Sequence, residues 1–197
     1  RSQKQIEEQR QIFGALNYSI ARLMGIVITL VGDTPTLKTG IEVKRPIRSI
    51  IEQSIAEYQR REKQGFQIFT CQISLPPLAD VDPKDIHFIA QESVETVLLL
   101  ERFNAELHKL RNALQRRNEL LDGLLKTEPK VTPTGYQFAN SAMLMFPLID
   151  SYNHAAAEYI ANLVADANKL MAMLDTYIRA HISEKVYRGN LIHLEVQ

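Results

Sequence analysis

Five histidines, one cysteine and 23 carboxylates are the side chains in this 197-residue chain with the broadest chemistry. Helical proteins build di-metal centres from Glu-x-x-His pairs on facing helices. The residues three before His87, His108, His154, His181 and His193 are Lys84, Ala105, Ser151, Ile178 and Asn190, so that pattern is absent. Two pairs remain at helical spacing, Asp150 with His154 and His181 with Glu184. Each could supply two metal ligands, and neither completes a tetrahedral set. About 30 helical residues, or roughly 45 Å, separate the pairs, so one copy cannot bring them to one metal. Asp150, His154, His181 and Glu184 are therefore the metal candidates, and both pairs read first as surface contacts. The sequence predicts no catalytic residue, metal or cofactor.

The other chemistries find less support. Cys71 lies among Phe69, Ile73 and Leu75, which predicts a buried and inert thiol. A lone cysteine forms neither an internal disulfide nor a cysteine-based zinc site. The nearest two glycines, Gly25 and Gly32, are seven residues apart, and no phosphate-cradling glycine motif or GxSxG elbow occurs. With 23 basic and 23 acidic residues the chain has no net charge, which removes the generic electrostatic case for nucleic-acid binding. Residues 1–65 carry 11 basic and 7 acidic side chains, a local excess that would suit an anionic membrane surface.

The elements that would position these residues are long helices. Ile6, Phe13, Ile20 and Val27 recur every seven residues, interleaved with Gln9, Leu16, Leu23 and Leu30. That seam predicts one helix to Val31, ended by Gly32 and Pro35. Pro46 opens a second helix with Ile47, Ile50, Ile51, Ile55 and Tyr58 on its apolar face. The stretch near 66–80 is rich in β-favouring residues and meets Pro76-Pro77, so it reads as a short extended crossover. Asp82-Pro83 starts a short helix that leads into a long one. There Leu100, Leu107, Leu114 and Leu121 alternate with Phe103, Leu110, Arg117 and Leu124. Arg117 is the polar intruder, placed either to fix register or to snorkel outward. Thr132-Pro133 is expected to begin the last helix, which runs to about Lys185 and is kinked at Pro147 or split there into a short helix and a long one. The tail from Gly189 reads as a strand or a loose end.

Four helical stretches joined by turns predict an all-α, antiparallel four-helix bundle, with residues 1–197 forming a single domain. The polar opening from Arg1 to Arg10 has the composition found on the cytoplasmic flank of a transmembrane helix, so a membrane anchor ahead of residue 1 is expected. Within the chain the most apolar run, Ile20–Val31, has 12 residues and contains Arg22, fewer than the roughly 20 a span needs.

Leu75-Pro76-Pro77-Leu78, Ile86–Ile89 and the stretch from Leu98 to Asn118 (LLLERFNAELHKLRNALQRRN) resemble a pattern in uncharacterised bacterial proteins. Those have an N-terminal transmembrane helix followed by a helical soluble domain. The resemblance implies a tether to the bacterial inner membrane with this domain on the cytoplasmic side, and it brings no activity or site residues. The expected role is non-enzymatic: self-association, or docking of another protein, through helix faces. A ligand- or metal-binding helical bundle with enzymatic activity is the alternative.

Overall fold

A computed structural model describes residues 3–32, 45–60, 67–75 and 83–188. The chain is all-α in class: helices take 78% of these residues and strands 4%. In order come α1 (Gln3–Val31), α2 (Ile47–Gln59), a 3-10 helix (Pro83–Gln91) and α3 (Val94–Leu125). A hairpin of β1 (Lys130–Thr132) and β2 (Gly135–Gln137) follows, then a 3-10 turn (Ala142–Leu144), α4 (Met145–His181) and α5 (Glu184–Tyr187). The expected loop from Asp33, the stop at Gly65, the Pro76-Pro77 end of the crossover, the Asp82 cap and the tail from Gly189 lie outside the described residues.

The chain packs as two compact units, and α3 and α4 contribute to both. The first holds α1, the 3-10 helix, α3 up to Glu106, α4 from Asn162 and α5. Here α1 packs on the 3-10 helix and on α5. From Gln3 to Gln11 it is exposed apart from the half-buried Gln9, and polar apart from Ile6, which the seam placed inward and the structure leaves exposed. From Leu23 to Leu30 it is buried almost all round, as an apolar helix inside a core must be. Ser19 and Thr29 avoid unpaired buried hydroxyls by donating to the carbonyls of Ala15 and Gly25, at 3.0 and 2.9 Å. Ile86, Ile89, Leu100, Phe103, Leu163, Leu170, Leu174 and Ile178 complete this core.

As a whole, α1 is long and apolar enough to cross a membrane, the one such helix among the described residues. This corrects the expectation from uninterrupted runs. Arg22 breaks the run, but a helix is judged by its average, and polar residues are few from Phe13 onward. In the structure 56% of its most apolar stretch is buried against the rest of the protein.

The second unit holds α2, segment 67–75, α3 from Leu107, the hairpin and α4 up to Ala161. Tyr58, Leu121, Leu124, Ala142, Phe146 and Ile149 form its core cluster, with Ile68, Phe138 and Met145 packed against it. All eight expected seam positions of α3 are buried, Arg117 included. Each buried Leu of this kind contributes roughly 1.5–3 kcal/mol.

Two expectations about the last helix fail for local reasons. Thr132-Pro133 opens a hairpin turn instead of a helix, with Thr132 paired to Gly135. Gly135 has φ 139°, a backbone region closed to side-chain-bearing residues, and this lets the chain reverse. Helix α4 then starts at Met145, so Pro147 falls in its first turn. No intrahelical acceptor awaits an N–H there, so Pro147 neither splits nor ends the helix. At the far end α4 stops at His181, and α5 begins two residues later.

Candidate functional site

The most elaborate polar site is built on Arg117 in the second unit. Helix α3 carries its side chain inward at a seam position, where it is fully buried. A guanidinium has five N–H donors, and all five are used. Nε donates to Asn153 Oδ1 at 2.5 Å. Nη1 donates to the Cys71 carbonyl at 2.8 Å and to Asn118 Oδ1 at 3.4 Å. Nη2 donates to Ser54 Oγ at 3.1 Å and to the Phe69 carbonyl at 3.3 Å. Asn118 extends the site, accepting from the Ile73 N–H at 3.1 Å and donating to the Ile73 carbonyl at 2.7 Å.

Carbonyls 69, 71 and 73 thus face α3 with the period of two that an extended chain gives. Residues 67–75 form neither helix nor strand, and the carbonyls of Phe69, Cys71 and Ile73 and the Ile73 N–H are satisfied by side chains in place of a strand partner. None of the five acceptors is a carboxylate. Burial without a countercharge holds the guanidinium down to about 10. With every donor committed, Arg117 has none left for a ligand, so this site joins α2, the crossover, α3 and α4 rather than binding anything.

Cys71 itself is exposed, contrary to expectation. Strict alternation would put Cys71 and Ile73, two residues apart, on one face, yet Ile73 is buried and Cys71 is not, so the side chains here do not keep the period of a strand. Its thiol donates weakly to the Gln72 carbonyl at 3.4 Å.

The metal candidates are dispersed. Asp150 Oδ2 lies 3.5 Å from His154 Nε2, with the histidine 55% exposed, in the second unit. In the first unit His181 does not meet Glu184. The helix break after His181 ends the i,i+3 relationship, and Glu184 approaches Arg188 at 3.9 Å. His181 Nε2 instead meets Glu92 Oε2 at 2.8 Å. Among the described residues no group of three His, Cys, Asp or Glu could hold a metal ion.

The His181–Glu92 pair borders a groove of about 400 Å³ between residues 89–96 and the last three turns of α4. Ala172, Met173 and Ala180 line it, and Lys169 stands among its polar residues. Tyr177 stacks on His181 with centroids 4.4 Å apart. Its phenol is pushed up by burial and by Glu92. Lys169 is held by Glu95 at 2.7 Å, which keeps the Glu95 carboxyl below its ordinary range. A carboxylate-oriented imidazole can move protons. Glu92 lies 89 residues from His181, outside the reach of any local spacing rule.

The second unit has concave surfaces of its own. A cleft of about 670 Å³ separates residues 67–70 from the hairpin, with Phe69, Tyr136, Phe138 and Phe146 in its walls. A depression of about 500 Å³ lies between α3 and α4, lined by Arg116, Glu119, Leu120, Leu148 and Tyr152. Beside it Leu144 is 77% exposed and Leu148 52%, one turn apart on the same face. The hairpin exposes Val131 and Tyr136 as a cross-strand pair.

Neither a family model, nor a curated protein sequence, nor a solved structure matches this chain.

Proposed function

We propose that this chain is a non-enzymatic α-helical interaction domain that docks through the face carrying Leu144 and Leu148. The observation behind it is the solvent exposure of Leu144, at the end of the 3-10 turn, and of Leu148, in the first turn of α4, where Leu148 also lines a depression. Single exposed leucines are ordinary, but two in register beside a hollow are what an interface offers. The long helices are read as an antiparallel four-helix bundle. The test is the size of the protein's assemblies in extracts of its own cells. Wild type is expected above its 22.5 kDa monomer mass. The Leu144→Glu/Leu148→Glu variant should shift to lower mass at equal abundance. Wild type running as a monomer would contradict the reading.

The domain is further read as belonging to the cytoplasmic side of a bacterial inner membrane. Two features support this: α1 is apolar and long enough to span, and residues 1–65 carry four more basic than acidic side chains. Fractionation with a carbonate wash tests it. Recovery in the soluble fraction before the wash would count against it.

A second reading, a small-ligand site, is favoured by the groove at His181, Glu92 and Tyr177. A thermal-shift panel of metals and small amphipathic acids tests it, with His181→Ala as the control. No stabilisation of wild type would leave it without support.

A further inference from the structure

We infer that the occupant of the Leu144–Leu148 face is a second copy of this chain, packed about a two-fold axis. The inference rests on the docking reading above and names its partner.

A two-fold interface must be complementary to itself: each feature of the patch needs its counterpart on the same patch. This face meets that condition in shape. Leu144, the more exposed of the two leucines, is a knob one turn before Leu148, and the hollow floored by Leu120 and Leu148 lies next to it. A two-fold axis between knob and hollow sets Leu144 of each copy into the hollow of the other.

The face meets the condition in charge as well. Its polar border carries both signs, with Arg116 Nη1 2.8 Å from Glu119 Oε2 and the two side chains 66% and 47% exposed. Hydrogen bonds from Gln115 and Arg116 keep the Glu119 carboxyl below its ordinary range, so it is ionised at neutral pH. A partner of a single sign would be attracted by one of these groups and repelled by the other. A second copy turned by two-fold symmetry presents its Glu119 to Arg116 and its Arg116 to Glu119. The remaining lining residue, Tyr152, is half-buried and of a type enriched at protein interfaces.

The test is sedimentation of the purified full chain, with circular dichroism on every variant to confirm its helix content. Wild type should form a dimer, and Leu144→Glu should weaken it by at least about 30-fold, the effect expected of a central anchor. Arg116→Glu and Glu119→Arg should each weaken it, because each sets like charges across the axis. An equimolar mixture of those two variants should recover a heterodimer, since all-acidic and all-basic patches then face each other. A purely structural role for the Arg116–Glu119 pair would not give that recovery.

A wild type that stays monomeric at about 100 μM, roughly −5.5 kcal/mol on the affinity scale, overturns the proposal. So does a dimer indifferent to Leu144→Glu, or a mixture that stays monomeric. Monomeric purified protein together with Leu144-dependent larger assemblies in cell extracts would remove the second copy and leave the docking reading standing. Monomers in both would remove both.

Discussion

Arg117 Nε donates to Asn153 Oδ1 at 2.5 Å, which ties a heptad position of α3 to the first half of α4 through a buried cation. The same guanidinium holds two carbonyls of the crossover and the Ser54 hydroxyl of α2. Removing one partner from a buried network costs more than the network contributes, because the others are left unpaired. Arg117→Met should therefore destabilise the protein by about 3 kcal/mol. Arg117→Lys, with three donors in place of five, should recover only part of that. Urea unfolding monitored by circular dichroism gives both values. A loss under about 1 kcal/mol for Arg117→Met would show that the network is dispensable.

The same residue sets a pH dependence of unusual sign. Burial lowers its pKa from the ordinary guanidinium range to about 10 in the folded protein. Below about pH 10 the proton is bound in both states and the burial penalty is fully present. Between that value and the unfolded pKa the unfolded chain binds more protons, so this group's contribution to stability rises with pH. Other groups titrate in the same range, so the difference between wild type and Arg117→Met is the quantity to follow. From about pH 9 to about pH 11 it should move in favour of wild type. A flat difference, or the opposite slope, would contradict the assignment.

Arg102 and Asp166 form a second isolated test, within the first unit. The guanidinium grips the carboxylate with two donors, Nε at 2.9 Å and Nη2 to the other oxygen. Asp166 is buried, whereas Arg102 is exposed. Arg102→Ala strands a buried carboxylate and should destabilise the protein. Arg102→Ala/Asp166→Asn should cost less than the single change, because no charge is then stranded. Chemical unfolding of the two variants decides, and a double variant less stable than Arg102→Ala would contradict the pairing.

Cys71 offers a quick check on the crossover. Its exposed thiol should react with an aromatic disulfide reagent in the native protein, at a rate within about tenfold of that in urea. Asn118→Ala, which frees the backbone of Ile73, should raise hydrogen exchange across 69–75 and leave α1 unchanged. A thiol unreactive until unfolding would mean that it faces inward.

The helices were legible in the sequence because burial repeats every three to four residues: the seams from Ile6 to Leu30 and from Leu100 to Leu124 name most of the buried positions. Arg117 stood out as the break in such a seam, although nothing local shows what it binds. Its acceptors are backbone carbonyls 46 and 48 residues away, and carbonyls have no sequence signature. The hairpin was misread because Thr-Pro opens a helix as readily as a turn; Gly135, two residues on, settles it. Cys71 was misjudged from Phe69, Ile73 and Leu75, which strand alternation would place on its own face; Ile73 is buried and Cys71 is exposed because the segment forms no strand. The exposure of Leu144 and Leu148 was hidden for a related reason. Both were expected within one long helix from Thr132-Pro133, and their spacing alone does not show which face of that helix meets solvent.

A photo-reactive amino acid placed at Leu148 in living cells tests the docking face most directly, with Ala161 as the control. Ala161 is exposed on the same helix, about 140° round from Leu148 at 3.6 residues per turn. Irradiation should give a discrete adduct from position 148 at twice the monomer mass, containing only this chain, and none from position 161. Equal labelling from both positions, or none from either, would contradict an interface at Leu144 and Leu148.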